Sequence, residues 1–203
     1  MRAHVNTPME AFPKTRLEAF SDGVVAIIIT IMVLELRSPE GQTLADLRPL
    51  LPRLLGYALS FVFLGIYWNN HHHLLHAAKR INGPIMWGNL HLLFWLSLVP
   101  FSTAWLGAHP GSAWPTALYG IVLIMAACAY QILQGAIVAL QGRDSALATA
   151  LGSDRKGKLS LASYAAAILL AFANPWCSDV LYVLVALMWF VPDRRLERLT
   201  SFE

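Results

Sequence analysis

Apolar residues run through this chain in blocks of membrane-crossing length, broken by short polar stretches. Six such blocks stand out, at about 17–36, 53–77, 84–106, 113–140, 159–174 and 178–192. A helix rising 1.5 Å per residue needs about 20 residues to cross a bilayer's hydrocarbon core, so each of the first four is long enough. The last two are shorter and meet at Asn174-Pro175, which predicts a helical hairpin. The pattern predicts an all-α, polytopic membrane protein with six transmembrane helices. Residues 1–203 then form a single domain, because no second copy of any segment and no Gly/Ser linker interrupts the series.

Within the first block the polar positions are not scattered. On a helical wheel Gly23, Ile27, Ile31 and Leu34 fall on one stripe at i, i+4, i+8 and i+11, with Thr30 at its edge. Ser21 and Asp22 point away from that stripe. A carboxylate in hydrocarbon costs roughly 2.5 kcal/mol or more unless it is paired or hydrated, so Asp22 needs partners. Thr30 has a local option, since a helical threonine can donate back to a carbonyl of its own preceding turn.

The second block ends YWNNHHHLLHAAKR, and the third opens PIMWGNLHLLFW. If the helices alternate in direction, both ends lie at the level of Ser21 and Asp22. Arg16, Ser21, Asp22, Asn69, Asn70, His71, His72, His73, Trp87, Asn89 and His91 then share one layer. Polar groups at membrane depth must satisfy one another, which predicts a hydrogen-bonded layer locking the first helix against the second and third. The same residues allow a second reading. His72 and His76 are spaced i, i+4, and with His91 and Asp22 they could serve a proton- or metal-coupled carrier.

Composition agrees with a membrane protein: 57% of the residues are hydrophobic and 13% charged. The net charge of +3 matters less than its placement. With six alternating helices, Arg2, Lys14, Arg16, Lys79, Arg80, Arg143, Arg155, Lys156, Lys158, Arg194, Arg195 and Arg198 fall on the side of the amino terminus. Only Arg37, Arg48 and Arg53 fall opposite. Twelve cations against three place both termini in the cytoplasm. The basic balance therefore reflects topology and not nucleic-acid binding. The opening MRAHVNTPMEAFPK has no signal-peptide pattern, so the first helix is expected to be retained. The two cysteines, Cys128 and Cys177, make no disulfide framework, and Cys128 is expected as a small buried hydrophobe. No nucleophile–base pair, phosphate loop or nucleotide fingerprint is present, which argues against an enzyme.

The arrangement Arg16-x-x-x-Phe20-Ser21-Asp22, opening an Ile-rich helix that ends Leu34-Glu35-Leu36, resembles the bacterial branch of the transmembrane protein 175 family of endosomal and lysosomal potassium channels. Trp68-x-x-His71-His72 on the second helix and Trp87 and Asn89 on the third fit the same family. The resemblance implies a potassium-preferring channel that conducts passively, with no cofactor or bound metal, in the plasma membrane. It implies a homotetramer whose pore is lined by the first helix of each protomer. Ile27 would form the hydrophobic constriction, Thr30 the cation-selective layer, and Ile31 and Leu34 further apolar rings outward. Arg16, Phe20, Ser21, Asp22, Trp68, His71, His72, Trp87, Asn89 and His91 would tie that helix in place without touching the ion. No TVGYG-like filter loop occurs in the chain, so selectivity cannot come from a carbonyl cage. Glu35, at the outer mouth, has two expected roles: raising local cation concentration or pairing with Arg37 or Arg53.

Overall fold

The computed structural model describes residues 13–142, 144–152 and 154–190. Arg2, Arg143, Arg194, Arg195 and Arg198 of the charge argument, and the end of the sixth expected block, lie outside them. Among the described residues the chain is helical throughout. It comprises α1 (Lys14–Leu34), a 3₁₀ turn (Leu44–Leu50), α2 (Leu51–Ala77), α3 (Gly83–Ser97), α4 (Val99–Ala108), α5 (Ala113–Gln141), α6 (Ala146–Leu151), α7 (Arg155–Leu170) and α8 (Pro175–Phe190).

Local chemistry sets the boundaries. α3 starts where the Asn82 side chain accepts the Ile85 N–H at 3.1 Å and Pro84 occupies the first turn, a position that has no use for the missing N–H. The single helix expected over 84–106 is interrupted at Leu98. Pro100 cannot donate to the carbonyl of Leu96, and its ring crowds that carbonyl, so α3 stops and α4 restarts. The segment Gly83–Ala108 still reads as one candidate span. The short α6 has no counterpart among the expected blocks; Ser145 caps it by accepting the Ala148 N–H at 3.2 Å.

Four segments are long and apolar enough to cross a membrane: Lys14–Leu34, Leu44–His76, Gly83–Ala108 and Ala113–Gln141. α7 and α8 form the hairpin expected about Asn174-Pro175, but each has 16 residues. That gives a rise of roughly 24 Å, short of the ~30 Å hydrocarbon core. Among the described residues, crossing length is therefore met by four segments, and α8 is described only as far as Phe190.

α1 lies against α2, α3 and α4, and α5 packs along α3 on one side and α7 on the other. Gly88 permits the α3–α5 approach, since a Cβ there would stand 3.3 Å from Leu133 Cα. Two apolar cores result. One gathers Val25, Ile28 and Met32 of α1 with Leu92 and Leu96 of α3 and Leu133 of α5. The other gathers Phe63, Tyr119, Tyr164 and Tyr182 between α2, α5, α7 and α8.

Candidate functional site

α1 has two unlike faces. Leu17, Ser21, Val25, Ile28 and Met32 recur at helical spacing and are buried against the bundle. On the other side Gly23, Ile27, Thr30, Ile31 and Leu34 are exposed, Ile27 to 58% and Leu34 to 75%. The stripe picked out by the wheel thus lies on the face of α1 that no other described helix covers. Thr30 uses the local option: its hydroxyl lies 3.0 Å from the carbonyl oxygens of both Ala26 and Ile27. Its single proton is donated into its own helix, and the oxygen lone pairs are what remain to face outward.

The buried face carries a chain of hydrogen bonds near the Arg16 end. Ser21 donates to the Leu17 carbonyl at 2.8 Å and accepts from Asn89 Nδ2 at 2.9 Å. Asn89 Oδ1 in turn lies 2.6 Å from His71 Nε2, and the oxygen can only accept, so the imidazole donates. All three side chains are buried, which links α1, α3 and α2 through one amide. Beside this chain Trp68 Nε1 donates to Asp22 Oδ1 at 2.9 Å. His72 stacks on Trp68, ring centres 6.1 Å apart, and on His76 at 6.3 Å.

Other members of the expected layer are placed differently. His91 accepts from Trp95 Nε1 at 2.9 Å, one turn along its own helix. Trp87 is 74% exposed, and Arg16, Phe20, His72 and Asn69 are also on the surface. Asn70 turns to the opposite side of α2, where its carbonyl accepts from Tyr130 at 3.1 Å. Among the described residues no three His, Cys, Asp or Glu side chains converge as a metal-ligand set. At the other end of α1, Glu35 shares a cleft of about 250 Å³ with Arg37, Arg53 and Tyr57, and it forms no ion pair with another described residue. Cys128 is half-buried and Cys177 exposed, both as free thiols.

Sequence reasoning missed a second polar cluster, between α2, α4, α5 and α8. Ser60 lies 2.6 Å from Thr103 Oγ1 and 2.9 Å from the Tyr119 hydroxyl, and Tyr182 donates to the Thr116 carbonyl at 2.9 Å. Its only sequence signal is a hydroxyl here and there in apolar helices, which local back-bonding would equally explain.

Comparison with known proteins follows the same residues. A family model described as endosomal/lysosomal potassium channel TMEM175 matches residues 16–100, the stretch holding α1, α2 and α3. A protein named a potassium channel, from Chryseobacterium sp. (strain P1-3), is 53% identical over 185 residues, covering 91% of this chain and 96% of that protein. The human protein named endosomal/lysosomal proton channel TMEM175 is 30% identical over 81% of this chain, which spans only 36% of the human protein. The crystal structure of a lysosomal potassium-selective channel TMEM175 homolog from Chamaesiphon minutus superposes with a TM-score of 0.77 at 25% identity. The match covers 89% of this chain and 97% of that one.

Proposed function

Because the chain belongs to the TMEM175 family of channel proteins, we propose that it is a potassium-preferring cation channel, its pore enclosed by four copies of α1 about a shared axis. One observation carries this reading. The helix bearing the family motif leaves Gly23, Ile27, Thr30, Ile31 and Leu34 uncovered at helical spacing, while its opposite face is tied into the bundle. One helix cannot enclose a pore, so such a stripe requires further copies to work as one.

In the tetramer the Ile27 side chains meet as a constriction, with Ile31 and Leu34 as apolar rings beyond it. Apolar rings of this kind gate by excluding water, and opening consists of widening them until a partly hydrated ion fits. The Thr30 ring offers oxygens whose protons are already given to Ala26 and Ile27. It therefore presents lone pairs, which suit cations and replace part of a hydration shell. Potassium, being larger, loses water at lower cost than sodium, so a weak ring of this kind prefers it moderately. Glu35, unpaired among the described residues, concentrates cations at the outer mouth. Conduction is passive and needs no catalytic group or cofactor. In this reading the chain is one domain in the plasma membrane with both termini cytoplasmic, and α7 and α8 complete its six helices.

Proteoliposomes under paired potassium and sodium gradients test the reading directly. Passive potassium flux exceeding sodium flux is expected, with a pH-sensitive dye reporting any proton conduction of the kind named for the human relative. Ile27→Asn places an amide in the constriction and should raise flux about tenfold or erase the potassium preference, since wetting removes a barrier of a few kT. Unchanged flux and selectivity in that variant would remove Ile27 from the gate. Accumulation of a substrate driven by pH, lost in Asp22→Asn, would instead favour a carrier.

A further inference from the structure

A cavity of about 60 Å³ opens between α2, α5, α7 and α8, on the side of α2 away from α1. Its walls include Phe63, Tyr67, Tyr130, Tyr164 and Trp189, and one carboxylate, Asp154. No Lys or Arg lines it among the described residues. Two of the aromatic polar tips are engaged in the wall. Tyr130 donates to the Asn70 carbonyl at 3.1 Å, and Trp189 Nε1 donates to Ser160 Oγ at 2.8 Å. What these rings have left to offer a ligand is their π surface.

Asp154 is held at this cavity in an unusual way. It is the one described non-glycine residue in the left-handed region, at φ 39°, a conformation that asparagine and aspartate tolerate best. Its Oδ1 accepts the Gly157 N–H at 3.1 Å and caps α7, and its carboxylate sits directly over Gly157, where any Cβ would collide with it. Oδ2 has no hydrogen bond from another described residue. Among the described lining residues no basic side chain faces this carboxylate. Aromatic faces attract cations within about 6 Å of the ring centre. Lys156, itself outside the lining, has its Nζ 5.7 Å from the Trp189 ring centre, so that ring already lies within reach of a cation.

We propose that this cavity binds an alkylammonium group, with Asp154 as counter-ion and the tyrosines and Trp189 as an aromatic cage. The volume admits a head of a few heavy atoms, about the space of a few waters. The same chemistry is carried by a free quaternary amine and by the headgroup of an amine-bearing lipid. The site is separate from the α1 stripe, so it stands or falls independently of the pore reading. It does share α2 with the anchor of α1: Tyr67 faces the cavity while the next residue, Trp68, bonds Asp22.

Calorimetric titration of tetramethylammonium and of choline onto the full-length purified protein tests the free-cation form. Native mass spectrometry after exchange into phosphatidylethanolamine or phosphatidylglycerol tests the lipid form. Asp154→Asn keeps a capping side chain that tolerates the left-handed backbone, so the fold should survive while affinity falls about tenfold or more. Trp189→Leu should weaken binding less, and Ile27→Asn should leave it unchanged. Retention of phosphatidylethanolamine by the wild type but not by Asp154→Asn assigns the lipid form; tetramethylammonium binding without lipid preference assigns the free amine. If neither ligand binds, or if Asp154→Asn binds as tightly as the wild type, the proposal is overturned.

Discussion

Two layers of polar groups hold this bundle, one in each half of α2, and only one of them reaches α1. In the carboxyl half of α2, Trp68 and His71 engage Asp22, Asn89 and, through Asn89, Ser21. In its amino half, Ser60 engages Thr103 and Tyr119, while Tyr182 bonds the Thr116 carbonyl. α1 has no side chain in the second set. Its far half is held by Ile28 and Met32 in the apolar core. In lipid, where tails are as apolar as leucine, close packing and directional bonds share the work of holding a helix, and only the bonds fix a single register. The contrast gives α1 a pinned end at Ser21 and Asp22 and a merely packed end at Ile28 and Met32.

Breaking the layer that α1 does not reach should cost the most stability and the least function. A Cβ at Gly120 would collide with the Tyr182 hydroxyl and stand 2.8 Å from Ile168 Cγ1. Gly120→Ala should therefore lose about 2 kcal/mol, a fall of roughly 4–8 °C in melting midpoint, with flux per folded channel unchanged. Adding Tyr182→Phe should recover part of that loss, because the hydroxyl is the nearest obstacle. Next in size comes the layer that does reach α1. Asn89→Leu severs both links of the Ser21–Asn89–His71 chain and leaves the buried His71 ring N–H unmatched, while Ser21 keeps its bond to the Leu17 carbonyl, at about 1–2 kcal/mol. Here flux should change as well, measured in the same proteoliposomes, because α1 loses its tether.

That Ser21, Asn89 and His71 have to find partners is readable from the chain alone. Each is a polar group in an apolar helix at one level of an alternating topology, and the hydrocarbon offers no water. The stripe of Gly23, Ile27, Ile31 and Leu34 is readable for a different reason, its period. What was not readable is which polar groups satisfy themselves locally. His91 has the composition of a layer member, yet an i+4 tryptophan on its own helix takes it up. Ser60, Thr103 and Tyr119 show the opposite case: isolated hydroxyls that look self-sufficient in sequence but meet across three helices. Helix ends were limited by chemistry on the scale of one residue. Pro100 divides the third block, and Ser145 starts an α6 that no apolar block announced.

The smallest effects separate the two layers most cleanly, because they leave the fold nearly untouched. Trp68→Phe removes the N–H given to Asp22 and keeps a ring to stack on His72. Tyr182→Phe removes the O–H given to the Thr116 carbonyl and keeps a ring against Tyr119, 5.3 Å away between centres. Each forfeits one hydrogen bond inside a membrane bundle, about 0.6 kcal/mol, or a shift of only 1–3 °C. Matched in cost, they differ in where the bond was. Trp68→Phe loosens the pinned end of α1 and should alter potassium flux, whereas Tyr182→Phe touches nothing that α1 leans on and should leave flux as it was. Equal flux changes in the two variants would mean that the layers act on α1 alike, and a pinned end would no longer describe it.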